Sequence, residues 1–252
     1  MKALLLKIFT SFSLMLLLFN PAISAKAAIK LGFAAWNHEP SGSVRYQGSN
    51  SDAESDLRLS DKTEGFFWLA IEQPIPGIPN FKLTHTRLAN SGAGVLTNSV
   101  TFGGNTFNAA ENINTSLDLN QTDLTMYWRL GTKSTHFNLG LTLKYLDGNA
   151  SILSTTTTQS RNVDFEVVLP LLYGGLNIKL PFSGLSVIAE GNVITYRSHS
   201  YSDILFSVKY ESKAKIGIQA GYRRMQLDLD DLDGVSSDLE FSGPFFALSL
   251  NF

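Results

Sequence analysis

Three things are missing from this sequence, and each absence excludes a class of protein. Cysteine does not occur in the 252 residues, so neither disulfide bridges nor cysteine-ligated metals stabilise the fold. Positive charge is not in excess, because 20 Lys and Arg residues stand against 22 Asp and Glu residues, which argues against nucleic-acid binding. After residue 27, no apolar run approaches the length of about 20 residues that a membrane-spanning helix needs. If the chain lies in a membrane, it must therefore cross as strands.

The first 27 residues have the pattern of a secretory signal peptide. Lys2 and Lys7 supply positive charge, and residues 8–19 form an apolar run that is too short for a transmembrane helix. The stretch Ala25-Lys26-Ala27 fits a cleavage site, and we expect cleavage after Ala27, with Ala25 as the alternative. The sequence thus predicts a signal peptide over 1–27 and one exported domain over 28–252.

Apolar and polar residues alternate along many segments of that domain, as in strands with one apolar face. The clearest case places Phe137, Leu139, Leu141, Leu143 and Tyr145 on a single face. We count ten strands, with eight or twelve as alternatives. They lie near residues 28–37, 65–74, 81–90, 121–130, 135–146, 163–181, 185–197, 203–211, 214–229 and 239–252.

A soluble sandwich or lipocalin shows the same alternation, and three features favour a membrane barrel. Connections alternate between short turns and long loops, the longest being 38–64, 91–120 and 147–162, as in bacterial outer-membrane proteins. Aromatic residues lie at strand ends on the apolar face, and Phe137 and Tyr145 are about 20 Å apart in height at a tilt of about 40°. The polar face is strongly charged. The predicted fold is an all-β, transmembrane, antiparallel up-and-down β-barrel.

In such a barrel the charged face lines the lumen, where opposite charges must pair or meet water. A barrel of ten strands is narrow, so we predict a mostly plugged lumen. Apolar residues change parity at Gly174-Gly175, which predicts a β-bulge there, and change again across Arg223-Arg224. The predicted lumen-lining residues are Lys30, Glu72, Asp123, Arg129, Lys144, Glu166, Lys179, Glu190, Lys209 and Arg223.

The last strand resembles the C-terminal signature that the outer-membrane barrel assembly machinery reads. Its apolar residues alternate up to the terminal aromatic residue, in the order Phe246, Leu248, Leu250 and Phe252. The resemblance implies that periplasmic chaperones and this machinery are partners during biogenesis. Outer-membrane lipid and lipopolysaccharide are the expected surroundings of the finished barrel, which we expect to be a monomer.

A wider resemblance rests on Gly32-Phe33-Ala34-Ala35-Trp36, on the run Asp56-Leu57-Arg58-Leu59 and on the turn Glu72-Gln73-Pro74-Ile75-Pro76-Gly77-Ile78-Pro79-Asn80. With Tyr222 and the acidic run near residue 230, these segments resemble a family of small Gram-negative outer-membrane β-barrel proteins of unassigned function. The resemblance implies a fold and a location, and no activity. Independently of it, three prolines make the turn rigid and remove N–H donors.

Two segments are candidates for chemistry. The run 197–203 holds Ser198, His199, Ser200 and Asp203, but strand alternation puts His199 and the serines on opposite faces, which opposes a serine–histidine dyad. An acidic run could hold calcium, although Leu229 occupies a position where the calcium-loop spacing needs aspartate. Its carboxylates are Asp228, Asp230, Asp231 and Asp233. We expect no metal and no cofactor.

The favoured hypothesis is a non-enzymatic barrel whose lumen passes small solutes poorly, or conducts small hydrophobic ligands laterally into the membrane. The first alternative is an outer-membrane enzyme that hydrolyses or transfers acyl groups on lipid A or phospholipid. The second alternative, which ranks between the other two hypotheses, is a surface-interaction protein that uses loops 38–64 and 91–120, where Phe102 and Phe107 are the main apolar anchors.

Overall fold

The computed structural model describes residues 27–75, 77–232 and 234–252. The predicted signal peptide, apart from Ala27, lies outside the described residues. Within the described ranges no helix is long and apolar enough to cross a membrane. The strands formed by the described residues are β1 (Ala28–Tyr46), β2 (Ser51–Asp52), β3 (Lys62–Glu72), β4 (Asn80–Thr86), β5 (Ala89–Val95), β6 (Val100–Phe102), β7 (Asn105–Phe107), β8 (Asn112–Gly131), β9 (Thr135–Ser154), β10 (Ser160–Lys179), β11 (Leu185–Tyr196), β12 (His199–Glu211), β13 (Ile216–Leu232) and β14 (Val235–Asn251).

Ten strand positions close into one antiparallel barrel, which confirms the predicted fold class and strand number. Each long strand pairs with the next along the chain, and β14 pairs with β1 to close the sheet. Strands β4 and β5 occupy one position, because both pair with β8, one after the other. Where the pairing around the barrel is complete, closure removes the exposed sheet edges that an open sheet would present to lipid.

The two ends of the barrel differ. Four connections, at residues 73–79, 132–134, 180–184 and 212–215, lie at the end that also holds both ends of the barrel chain; we call this the short-turn end. The opposite, long-loop end carries the connections 47–61, 96–111, 155–159, 197–198 and 233–234.

An apolar belt surrounds the barrel near the short-turn end. On β9 the outward residues Phe137, Leu139, Leu141 and Leu143 are each more than half exposed. Towards the long-loop end the next outward position after Tyr145 is Asp147. Inside the barrel, the inward side chains change from polar to apolar in the same direction, where they form a core. The strands therefore extend beyond the belt into a half that is polar outside and apolar inside.

This reversal explains the parity change in β10, where the predicted bulge at Gly174-Gly175 is wrong. Register with β9 runs without a break from Ser160 to Ile178. Odd residues point inward throughout, as Leu171 and Tyr173 show by being buried. The apolar residues change from the inner to the outer face because the strand passes from the core region into the belt. The same holds across Arg223-Arg224, and β13 and β14 first shift register between Leu229 and Leu232.

Much of the predicted loop sequence belongs to the wall. β1 continues to Tyr46 and β8 begins at Asn112, so strands replace parts of loops 38–64 and 91–120. Segment 47–61, which is part of the predicted loop 38–64, joins the wall on both sides. Its β2 pairs with β1, and Leu59 bridges to Gly92 of β5.

Candidate functional site

The lumen near the short-turn end is a cavity of about 450 Å³. Side chains of both charge signs line it, together with Tyr127, Tyr173 and several asparagines. Of the ten residues predicted to line the lumen, eight border this cavity: Lys30, Glu72, Asp123, Arg129, Lys179, Glu190, Lys209 and Arg223.

Two carboxylates organise the cavity wall. The Glu72 carboxylate accepts hydrogen bonds from Lys30, at 2.7 Å, from the Tyr127 hydroxyl, at 3.3 Å, and from Arg129. Glu190 accepts from Lys82 and from the Tyr173 hydroxyl, each at 2.8 Å. The rings of Tyr127 and Tyr173 pack with centroids 5.6 Å apart and connect the two groups. Because each carboxylate has several donors, these charges are satisfied within the wall.

A buried ionic layer closes the cavity on the side of the long-loop end. The Arg223 guanidinium donates to both oxygens of Asp203, at 2.9 and 2.8 Å. The Lys144 ammonium lies 2.9 Å from the Asp123 carboxylate and 3.7 Å from that of Asp203. All four side chains are almost fully buried. Two cations and two anions make the layer neutral, as burial in a low-dielectric interior requires.

Neutral side chains from across the lumen complete the layer. Arg223 lies over the rings of Trp36 and Phe66, 4.7 and 4.8 Å from their centroids, and donates to Thr86 at 3.1 Å. Lys144 donates to Gln121 at 2.6 Å, and Gln121 in turn accepts from the buried Tyr201 hydroxyl at 3.1 Å. These contacts join distant strands through the centre of the barrel, so side chains fill the lumen at this height.

An apolar core fills the barrel beyond the ionic layer. Phe102 and Phe107, expected to be exposed anchors for a partner, are buried in it at 6% and 0% exposure. They belong to the hairpin of β6 and β7, which folds over the long-loop end and is bonded there to Tyr46, whose carbonyl accepts from the Gly103 N–H at 2.9 Å. The expectation of exposed anchors is therefore wrong, since the hairpin needs its aromatic residues to cover the core.

Glu111 connects this hairpin to the turn between β9 and β10. Its carboxylate accepts from the Asn108 N–H at 2.9 Å and from the Thr157 hydroxyl at 3.1 Å. Hydrogen bonds from Ser154, from the Asn108 backbone and from Thr157 stabilise the charged form, and they lower the pKa of Glu111 from 4.5 to about 2.

Two predicted lumen residues lie elsewhere than on the cavity wall. Lys144 points inward but is enclosed in the ionic layer, with an exposure of 0%. Glu166 is on the outer face, opposite Asp147 of β9, and is exposed. Its assignment to the lumen is wrong, because the apolar face of β10 packs against the core at this height, so the polar face with Glu166 points outward.

Residues 197–203 do not form a serine–histidine dyad. The His199 Nδ1 accepts a hydrogen bond from the Asp230 N–H at 3.1 Å. Tyr201 and Asp203 point inward, where they bond to Gln121 and Arg223. Of the acidic candidates, Asp228, Asp230 and Asp231 all lie in β13, Asp231 with a φ of 53°, and Asp233 lies outside the described residues. Among the described residues no cluster of three or more potential metal ligands forms.

Sequence reasoning missed the neutral members of the site. It singled out charges, whereas Trp36, Thr86, Gln121 and Tyr201 complete the ionic layer. Strand alternation was the available signal, since it places Trp36 on the same face as Lys30. Contacts across the lumen depend on barrel closure, which alternation does not specify.

Comparison with solved structures identifies the fold. The chain is similar to the outer membrane protease OmpT from Escherichia coli, with a TM-score of 0.59, 10% identity, and coverage of 93% of this chain and 99% of that one. The translocator domain of the autotransporter NalP from Neisseria meningitidis has a TM-score of 0.48 and 9% identity, covering 99% and 96%. Ail of Yersinia pestis, solved with the heparin analogue sucrose octasulfate, has a TM-score of 0.40 and 9% identity, covering 90% and 99%.

No protein-family model matches the chain, and no curated protein matches its sequence. The likeness to OmpT shows that the chain has the fold of a Gram-negative outer-membrane β-barrel. At 10% identity it carries no information about activity.

Proposed function

We propose that this protein is a non-enzymatic outer-membrane β-barrel with a closed lumen, which presents its extended long-loop half at the cell surface. The observation that carries the proposal is the neutral layer of Arg223, Asp203, Lys144 and Asp123, with the apolar core beyond it. A hydrated ion has no path through two such regions in series. The cavity of about 450 Å³ is then a dead-end space on the short-turn side.

The proposed location follows from the outer surface of the barrel. The belt supplies an apolar face of suitable height, and aromatic residues such as Phe137, Tyr145, Tyr210 and Tyr222 lie near its edges. With the short turns in the periplasm, the extended long-loop half stands outside the cell. Export would use the signal peptide over 1–27, and insertion would use the barrel assembly machinery, which would read the last strand. Lipid and lipopolysaccharide would surround a monomer.

Planar-bilayer recording of the refolded barrel tests the closed lumen. Heat-modifiable gel migration confirms that the protein is folded, and a general porin in the same bilayers shows that the assay detects channels. We expect a folded barrel that inserts and gives no discrete conductance. Reproducible channels that a small solute blocks would make this a transport protein and would overturn the proposal.

A further inference from the structure

The wall of the long-loop half has a gap on one side. Strands β11 and β12 stop early, because their connection is at residues 197–198, whereas β10 continues to Ser160. Pairing between β10 and β11 begins at Leu172. Pro170 helps to end it, since proline has no N–H to donate to a ladder. Among the described residues, the edge of β10 that faces the gap has no strand partner over 160–171.

Backbone groups of alternate residues point into this gap. The Lys179 N–H donates to the Ser134 carbonyl and the Ser154 N–H donates to the Gln159 carbonyl, so the odd residues of β10 bond to β9. The even residues, Asn162, Asp164, Glu166 and Val168, therefore direct their N–H and C=O groups to the open edge. The top of the edge is covered, because Asn105 of the hairpin donates to the Ser160 carbonyl.

Side chains along the same stretch alternate between acidic and apolar. Asp164 and Glu166 are exposed on the outer face. The Asp164 carboxylate is bonded to amide groups of Asn149 and Asn162, and among the described residues neither carboxylate forms an ion pair. On the inner face, Phe165 and Val167 are 38% and 36% exposed although they point towards the core. Exposure of inward apolar side chains marks a place where the wall lacks a strand.

We propose that the open edge of β10 over 162–168 binds an extended segment of a partner protein, in which basic and apolar residues alternate. The segment would add as a strand, its backbone would bond to the even residues, its apolar side chains would cover Phe165 and Val167, and its basic side chains would meet Asp164 and Glu166. Two strand positions are unfilled beyond the connection at 197–198, and neighbouring strands of a sheet lie about 4.8 Å apart. The charge of the edge identifies the occupant: a second copy pairing antiparallel around Phe165 would place Asp164 opposite Glu166, where like charges repel.

Peptide binding to the refolded chain in neutral detergent tests the proposal. The probe is a labelled peptide of about eight residues that alternates lysine with valine, a length that matches an ordinary strand. Fluorescence anisotropy should show binding, and a glutamate–valine peptide should not bind. The charge reversal of Asp164→Lys with Glu166→Lys should weaken the lysine peptide by about tenfold or more and favour the glutamate peptide. Glu39→Lys with Glu54→Lys, exposed acids on other segments, is the matched control and should bind as the unaltered chain does.

The variant Glu166→Pro separates strand addition from simple charge attraction. It removes an N–H that faces the gap, so the barrel should fold while the lysine peptide binds about tenfold more weakly. Undiminished binding to folded Glu166→Pro would overturn strand addition, and so would no binding to the unaltered chain. Self-association of the unaltered chain that Glu166→Pro abolishes would identify a second copy as the occupant and would also overturn the proposal.

Discussion

At the scale of single residues, the ionic layer is held by mutual neutralisation. Arg223 and Lys144 share the Asp203 carboxylate, so its loss leaves a cation buried without compensation. The cost of breaking a buried pair in this way is about 3–5 kcal/mol, whereas removing both partners of a pair is much less costly.

We therefore expect Asp203→Ala to lower the free energy of unfolding by about 3–5 kcal/mol, and the pair Asp203→Ala with Arg223→Met to lower it less. Urea unfolding in detergent micelles, followed by tryptophan fluorescence, measures both, because Trp36 lies against Arg223. Glu166→Gln, an exposed outer-face change, should stay within about 0.5 kcal/mol of the unaltered chain. A double variant as unstable as the single one would contradict this account of the layer.

The second residue-scale prediction concerns Glu111, whose pKa is lowered to about 2 by its hydrogen bonds. A carboxyl group whose folded pKa is depressed contributes stability above its unfolded pKa and loses it as the pH falls towards the folded pKa. Between pH 4.5 and about 2, the hairpin of β6 and β7 should therefore loosen. The protection of the amides of residues 100–111 against hydrogen exchange, expressed relative to the intrinsic exchange rate at each pH, should fall over that window. In Glu111→Gln, which cannot titrate, exchange in the hairpin should lack this pH step, and an equal step in both proteins would refute the assignment.

At the scale of elements, β10 should show its one-sided pairing directly. Odd amides bond to β9, and even amides over 162–168 face the gap. We expect alternating hydrogen exchange in the refolded barrel, with slow exchange at Val163, Phe165 and Val167 and fast exchange at Asp164 and Glu166. Residues 172–178, which pair on both sides, are the internal control and should be slow throughout. Uniform protection over 162–168 would mean that the edge is already covered.

The same strand shows what sequence can predict and where it stops. Alternation with period two is local, and it predicted the ten strands and most inward charges, whereas the barrel class also required the connection lengths, the aromatic positions and the charged face. It does not indicate whether the apolar face of a strand contacts lipid or packs against a core. The change of parity of the apolar residues in β10 was therefore attributed to a bulge, and Glu166 was placed in the lumen. Segment 47–61 has the composition of a loop, and only its pairing with β1 and Gly92 makes it wall. Such partners are distant in sequence, so no local pattern specifies them.

At the scale of the whole molecule, the outer surface of the barrel is apolar in the half near the short-turn end and polar in the half near the long-loop end. On the outer face of β9, Leu141 lies within the apolar belt and is 52% exposed, whereas Asp147 lies beyond it on the same face. An arginine on the lipid-facing surface costs about 2–4 kcal/mol near the bilayer midplane and almost nothing outside it.

Leu141→Arg should therefore reduce spontaneous folding into phospholipid vesicles, while Asp147→Arg, six positions along the same face, should fold as the unaltered chain does. In detergent micelles, which deform around a charge, the two variants should both fold, and this comparison separates a membrane effect from a packing defect. Heat-modifiable migration after vesicle incubation measures the folded fraction. Equal folding of both variants in vesicles would place the belt elsewhere, and the extended half, with its open edge on β10, would then no longer stand clear of lipid.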